Sequence, residues 1–99
     1  MLNIEKKAEG TSLTIALTGR LDTVTAPELE GALKDSLDGV TKLVIDLEKL
    51  EYISSAGLRV LLAAQKMMNL QGEMKVTHVS EVVMEVFEVT GFSDILTIE

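Results

Sequence analysis

Residues 42 to 70 leave the chain few ways to fold. Lys42 to Leu47 is a nearly continuous apolar run rich in strand-forming residues, the mark of a central parallel strand covered on both faces. A polar segment follows and closes on two adjacent serines, Ser54 and Ser55. From about Ser55 to Leu70 the pattern is helical. Leu58, Leu61, Leu62, Ala64, Met67 and Met68 cover most of the circumference, while Arg59 and Lys66 share one polar stripe. An apolar strand leading through a short loop into a buried helix puts the serines at the rim of a parallel sheet, beside a helix N-terminus. Open α/β domains usually place their functional sites at such a rim. The first-turn N–H groups have no intrahelical acceptor and can meet an anion, a phosphate or a partner's acceptor.

The other segments fit around this unit. Lys6 to Thr18 reads as a hairpin turning at Glu9-Gly10-Thr11, with Leu13, Ile15 and Leu17 alternating with Thr14, Ala16 and Thr18. Gly19-Arg20-Leu21-Asp22 then turns the chain toward a helix. Thr25 is its expected N-cap, Glu28 completes a capping box, and Pro27 falls in the first turn, where its missing donor costs little. Ala26, Leu29, Leu33 and Leu37 recur at helical spacing, and Gly39 is a C-terminal stop. Gln71-Gly72 ends the second helix, and Met74 to His78 returns to strand alternation. A third helix starts near Ser80, with Val82, Val83, Val86 and Phe87 inward and Glu81, Glu85 and Glu88 outward. Gly91 stops it, and Ile95 to Ile98 is expected as a short final strand. The order β-β-α-β-α-β-α-β, without repeat or linker, predicts one domain over residues 1–99. Its class is α/β (α+β): a mostly parallel four- to five-stranded sheet with an N-terminal hairpin and about three major helices.

Composition narrows the chemistry. At 46% apolar and 25% charged, the chain can build a core and is not disordered. It has no cysteine, which excludes disulfides and thiolate chemistry, and its single histidine leaves little for catalysis or metal binding. A formal charge of -7 argues against nucleic acid or an anionic membrane as a direct partner. From Glu73 onward six acidic residues face one lysine, a balance that suits a basic protein partner or plain solubility. No apolar run approaches the ~18 residues of a membrane span, and Met1 to Lys7 lacks a secretory pattern. A cytoplasmic location is expected.

Catalytic readings find little support. A nucleophile elbow needs Gly-x-Ser-x-Gly, whereas Tyr52 and Ile53 stand two before Ser54 and Ser55. The only imidazole, His78, follows another strand and reaches the rim only if the strands are parallel. Asp22 and Asp46 are two scattered aspartates, too weak a signal to assign a metal or an aspartyl phosphorylation site. Gly57 stands alone, outside any nucleotide-cradling motif. In a first helical turn it permits close approach of another backbone, of this chain or of a partner. Ser54 or Ser55 caps the helix in the plainest reading. The sharper reading is a switch. A phosphate on Ser55 adds about -1.5 to -2 charges where the helix N-terminus tolerates them, so docking would change while the fold survives. Asp22, if alongside, adds like charge.

Taken in order, Leu17-Thr18-Gly19-Arg20-Leu21-Asp22, Val44-Ile45-Asp46-Leu47 and Leu50 through Leu61 make the chain resemble a STAS domain of the anti-sigma factor antagonist family. The resemblance covers nearly all 99 residues. In that family the phosphorylated serine lies two positions before the glycine, which makes Ser55 the expected phosphorylation site. Many relatives have aspartate just before it and a hydroxyl residue just after. Here Ser54 and Ala56 stand in those places, removing a fixed charge and a competing acceptor. Asp22 matches the family aspartate beside the phosphorylation region.

The resemblance implies partner switching in transcription regulation. The unphosphorylated antagonist binds an anti-sigma factor that is also a serine kinase, so that a sigma factor is released. The kinase phosphorylates the antagonist and weakens the complex, and a PP2C-type serine phosphatase restores the binding form. On this expectation Ser55 is a substrate, the chain is not an enzyme and has no cofactor of its own. Asp22, Ser54, Ser55, Gly57 and Leu58 form or flank the partner surface, although Leu58 can equally be core. The alternative is an unphosphorylated STAS scaffold that uses the same rim for an anion or another protein.

Overall fold

A hairpin opens the computed structural model, which describes residues 2–99. Strands β1 (Leu2–Glu9) and β2 (Ser12–Leu21) pair antiparallel. Gly10 makes the turn at a φ of 63°, a left-handed conformation open to glycine without steric cost. The chain continues through α1 (Ala26–Ser36), β3 (Lys42–Ile53), α2 (Ser55–Gln71), β4 (Glu73–Thr77) and α3 (Glu81–Thr90). The sheet order is β1-β2-β3-β4, with β2, β3 and β4 mutually parallel. The expected class, with its hairpin and three helices, is therefore the observed one.

One face of the sheet carries the core. Leu13, Ile15 and Leu17 of β2, Leu43, Ile45 and Leu47 of β3, and Met74 and Val76 of β4 are buried there. Leu29 and Leu33 of α1, Leu61 and Met68 of α2, and Val83 and Phe87 of α3 join them in one cluster. The opposite face, with Thr14, Ala16, Val44, Asp46, Lys75 and Thr77, is only half-buried. Strand β3 is thus not covered on both faces as expected. Val44 places an apolar residue on the half-open face and makes the run look continuous.

Strand β3 also runs six residues past its expected end. Its pairing with β2 slips between Ala16 and Thr18 and again between Gly19 and Arg20, each time by one extra residue in β3. Each bulge leaves a residue unpaired and adds twist. The buried positions therefore go from Leu47 to Leu50 to Ile53, in steps of three instead of two.

Close backbone approach fixes the far end of α2. A Cβ on Gly72 would collide with the Thr41 carbonyl, whose oxygen accepts the Glu73 N–H at 2.9 Å. Gln71 Nε2 donates to the Leu37 and Val40 carbonyls, tying α2 to the loop after α1.

Other expectations are corrected on the helices and at the C-terminal end. Ile95 to Ile98 is not a strand. A 3₁₀ turn at Phe92–Asp94 leads on to the Ile95 and Leu96 N–H groups, both bound to the Phe92 carbonyl, so neither can pair with a strand. Only a single parallel bridge joins Ile98 to Val76, with Lys75 and Glu99 paired at 2.7 Å beside it. On α3, Val82 faces solvent at 60% exposure because this ten-residue helix touches the core along Val83 and Phe87. Met67 on α2 is likewise exposed.

Candidate functional site

The rim forms where β3 ends and α2 begins. Ser54 is the N-cap of α2, with extended backbone (φ -100°, ψ 175°), and its Oγ accepts the Gly57 N–H at 3.4 Å. Its carbonyl accepts the Leu58 N–H at 2.9 Å. With the capping task taken by Ser54, Ser55 is left as the first helical residue, exposed, its hydroxyl free of hydrogen bonds among the described residues. The Ser55 and Ala56 N–H groups lie in the helix's first turn, where no carbonyl one turn back exists to accept them. A group attached to Ser55 Oγ therefore meets partial positive charge without breaking a bond that holds the fold.

The end of β2 supplies the other half. Ser54 N–H donates to the Leu21 carbonyl at 2.9 Å, placing Asp22 one residue from the cap. Asp22 Oδ1 accepts the Val24 and Thr25 N–H groups, each at 3.0 Å. Thr25 does not form the capping box expected of it: its side chain makes no cap bond. Its hydroxyl is turned back to donate to the Arg20 carbonyl at 2.8 Å and to accept the Asp22 N–H at 2.9 Å. The local Asx-type turn outcompetes the helix cap because it satisfies more backbone groups. The Thr25 N–H, foremost, holds the Asp22 carboxyl below the usual carboxylate range; desolvation works against this, while the Thr25 hydroxyl, the Val24 N–H and the Arg20 charge assist. Asp22 is consequently a fixed negative charge at the rim.

Arg20 and Tyr52, register partners on β2 and β3, extend the rim beyond the residues legible in the sequence. The Arg20 guanidinium lies 4.4 Å from the Tyr52 ring centroid, and its Nε is 3.9 Å from Asp22 Oδ2. Stacked pairs of this kind contribute about 0.5–1 kcal/mol when exposed. The two bulges in β3 bring Arg20 opposite Tyr52, a pairing that strict alternation past Thr18 and Leu47 does not place. A shallow hollow lined by Thr23, Pro27, Ala56, Arg59 and Val60 separates the first turns of α1 and α2.

Of the expected partner residues, Asp22, Ser54 and Ser55 are brought together at least partly accessible. Gly57 and Leu58 are buried and support the rim from beneath. The close approach at Gly57 is to a side chain of this same chain and not to a backbone: a Cβ there would lie 2.7 Å from Leu21 Cγ and 3.0 Å from Ile53 Cγ1. His78 turns instead to Asp46, with Nδ1 3.1 Å from Oδ1, and hydrogen-bonds to neither serine among the described residues. Asp46 Oδ1 also accepts the Glu48 N–H, at the first bulge of β3.

The STAS domain model matches residues 3–99. The chain belongs to the STAS domain family. Within it the chain groups with the anti-sigma factor antagonists. It is 41% identical over 88 residues to a Bordetella bronchiseptica protein named "Putative anti-sigma factor antagonist BtrV", covering 87% of this chain and 76% of that one. It is 32% identical to the anti-sigma-B factor antagonist of Staphylococcus aureus, across 96% of this chain and 90% of the relative. Among solved structures, the STAS fold seen here matches an anti-sigma factor antagonist from Mycobacterium paratuberculosis with a TM-score of 0.89 at 24% identity, over 99% of this chain and 85% of that one. It also matches the Bacillus cell fate determinant SpoIIAA in its phosphorylated form, with a TM-score of 0.75 at 18% identity, over 100% and 91% of the two chains. No helix among the described residues is long and apolar enough to cross a membrane.

Proposed function

We propose that this STAS domain is an anti-sigma factor antagonist switched at Ser55. Unphosphorylated, it binds an anti-sigma factor serine kinase through the rim of Asp22, Ser54 and Ser55, with Gly57 and Leu58 shaping that rim from below. The kinase transfers the γ-phosphoryl group of ATP to Ser55 Oγ, the hydroxyl proton is lost and ADP leaves. A PP2C-type phosphatase hydrolyses the phosphoserine and restores the binding form. The chain contributes the acceptor, and the nucleotide belongs to the partner.

The observation that carries this reading is the division of labour between the two serines. Ser54 holds the helix, so Ser55 is exposed and free to be modified at no structural cost. The added charge of about -1.5 to -2 would stand near the ionised Asp22, making the rim strongly repulsive to an acidic or tightly packed partner surface. SpoIIAA, which shares the fold, has been solved in both phosphorylated and unphosphorylated forms.

The test is intact mass and peptide mapping after incubation with the candidate kinase and ATP, followed by binding of Ser55→Asp and Ser55→Ala variants to that kinase. One phosphate on Ser55, tight binding by Ser55→Ala and lost binding by a folded Ser55→Asp are expected. Phosphate on Ser54 would move the switch by one residue. Undiminished binding by Ser55→Asp would replace it with the scaffold reading.

A further inference from the structure

On the half-open face of the sheet, three side chains with metal-binding chemistry converge outside the serine rim. Asp46 and Glu48 stand two apart on β3. His78 follows β4 directly, next to Thr77, the register partner of Asp46. One donor atom from each of the three lies within 4.8 Å of the others. Two local features hold the cluster in place. Asp46 Oδ1 is fixed by the Glu48 N–H and by His78 Nδ1, at 3.0 and 3.1 Å, which leaves Oδ2 uncommitted. His78 adopts φ 54°, the only non-glycine residue with positive φ among those described, and this conformation returns its ring over β3.

We propose that Asp46, Glu48 and His78 form an open binding site for a borderline divalent transition-metal ion, with zinc(II) as the representative case. An imidazole with two carboxylates is a donor set suited to zinc, cobalt or nickel, whereas magnesium and calcium favour all-oxygen shells. Bonds of about 2.0–2.2 Å in a tetrahedral shell bring neighbouring donors to within about 3.5 Å of each other. Glu48 and His78 are exposed and can close that difference by side-chain rotation. Glu5, in the same cross-strand row through Ala16, lines the hollow beside Asp46 and Glu48 and adds to its negative field. Lys49 lines the same hollow and partly opposes that field. Three protein donors leave at least one coordination position for water or for a donor from a partner. The site is independent of the Ser55 reading and stands whether or not that serine is modified.

The test is calorimetric titration of the full chain with zinc chloride, repeated with magnesium chloride, alongside amide NMR spectra. The wild type should bind one zinc, shift the amides of Asp46 to Lys49 and of Thr77 to Val79, and show no comparable magnesium binding. His78→Ala removes the only imidazole, and Glu48→Gln changes an exposed carboxylate, so both should fold, as circular dichroism would verify. Each should weaken zinc binding by about tenfold or more. No zinc binding by the wild type up to about millimolar concentration, or undiminished affinity in either folded variant, would overturn the site.

Discussion

The backbone N–H of Ser54 donates to the carbonyl of Leu21 at 2.9 Å, joining the residue that caps α2 to the residue before Asp22. The two halves of the rim are therefore joined directly through the backbone. The same contact brings α2 so close to β2 that Gly57 packs directly on the Leu21 side chain. Gly57→Ala would gain about 1 kcal/mol of helix propensity. Its new methyl, however, would sit 2.7 Å from Leu21 Cγ, inside a side chain that is fully buried and has nowhere to go. Overpacking of this kind costs about 1–3 kcal/mol and wins. Urea unfolding should show a lower midpoint for Gly57→Ala. A Leu21→Ala, Gly57→Ala double variant should be more stable than the sum of its single changes implies. Strict additivity would show that the two residues are not in contact.

The Asp22 turn should be visible in the pH dependence of folding. Its carboxyl is held below the ordinary aspartate value of 3.8 chiefly by the Thr25 N–H. A group whose folded pKa lies below its unfolded one stabilises the protein above the unfolded value and loses that contribution as pH falls through the folded value. Carboxyl-detected NMR should place the Asp22 midpoint under 3.8. In Asp22→Asn the acid limb of the stability curve should be flatter. Thr25→Val, which removes the hydroxyl and keeps the N–H, should raise the midpoint part of the way. A midpoint at or above the ordinary aspartate value would contradict the turn as described.

These contacts show where sequence patterns suffice and where they stop. The two serines could be placed at a helix start because an apolar strand, a polar segment and an apolar helix follow in direct succession. Which of the two caps the helix depends on backbone angles at Ser54 that no pattern specifies. The end of β3 was lost because its bulges turn a step of two into a step of three from Leu47 to Leu50 to Ile53. Arg20 and Tyr52 were lost with it. Thr25 fits a capping box by spacing, yet competition from Asp22 gives its hydroxyl a different task. The Asp46, Glu48 and His78 cluster depends on the register between β3 and β4, which joins residues thirty-two apart. The third helix was legible down to its cap, since Ser80 Oγ accepts the Val83 N–H and Gly91 closes the helix at φ 82°.

The cap at Ser54 can be tested apart from the switch. Its Oγ accepts from Gly57 N–H at 3.4 Å, a long bond. Ser54→Ala should therefore cost about 0.5–1 kcal/mol, the low end for a lost N-cap. Ser54→Asp should recover that loss, because a carboxylate is an equally good cap and is favoured by the helix dipole. Thermal or urea denaturation of the two variants decides the matter. If Ser54→Ala were neutral while Ser55→Ala destabilised the fold, the cap would belong to Ser55. The hydroxyl proposed for modification would then be the one that holds the helix.

The least satisfied polar group in the core is on the same helix. Gln65 is 6% exposed; its Nε2 donates to Asn69 Oδ1 at 2.9 Å, but its Oε1 has no partner among the described residues. An unmet buried carbonyl costs about 1–3 kcal/mol, against about 1 kcal/mol contributed by the one hydrogen bond the side chain makes. Methionine has nearly the same shape and length, adds apolar burial and takes a helix as readily. Asn69 is exposed, so water can replace its lost donor. Gln65→Met should therefore raise the urea midpoint with an unchanged slope, by about 0.5–2 kcal/mol in stability. A lower midpoint would mean that the carbonyl is satisfied by bound water, which a buried water site with slow exchange would reveal in the NMR spectrum of the wild type.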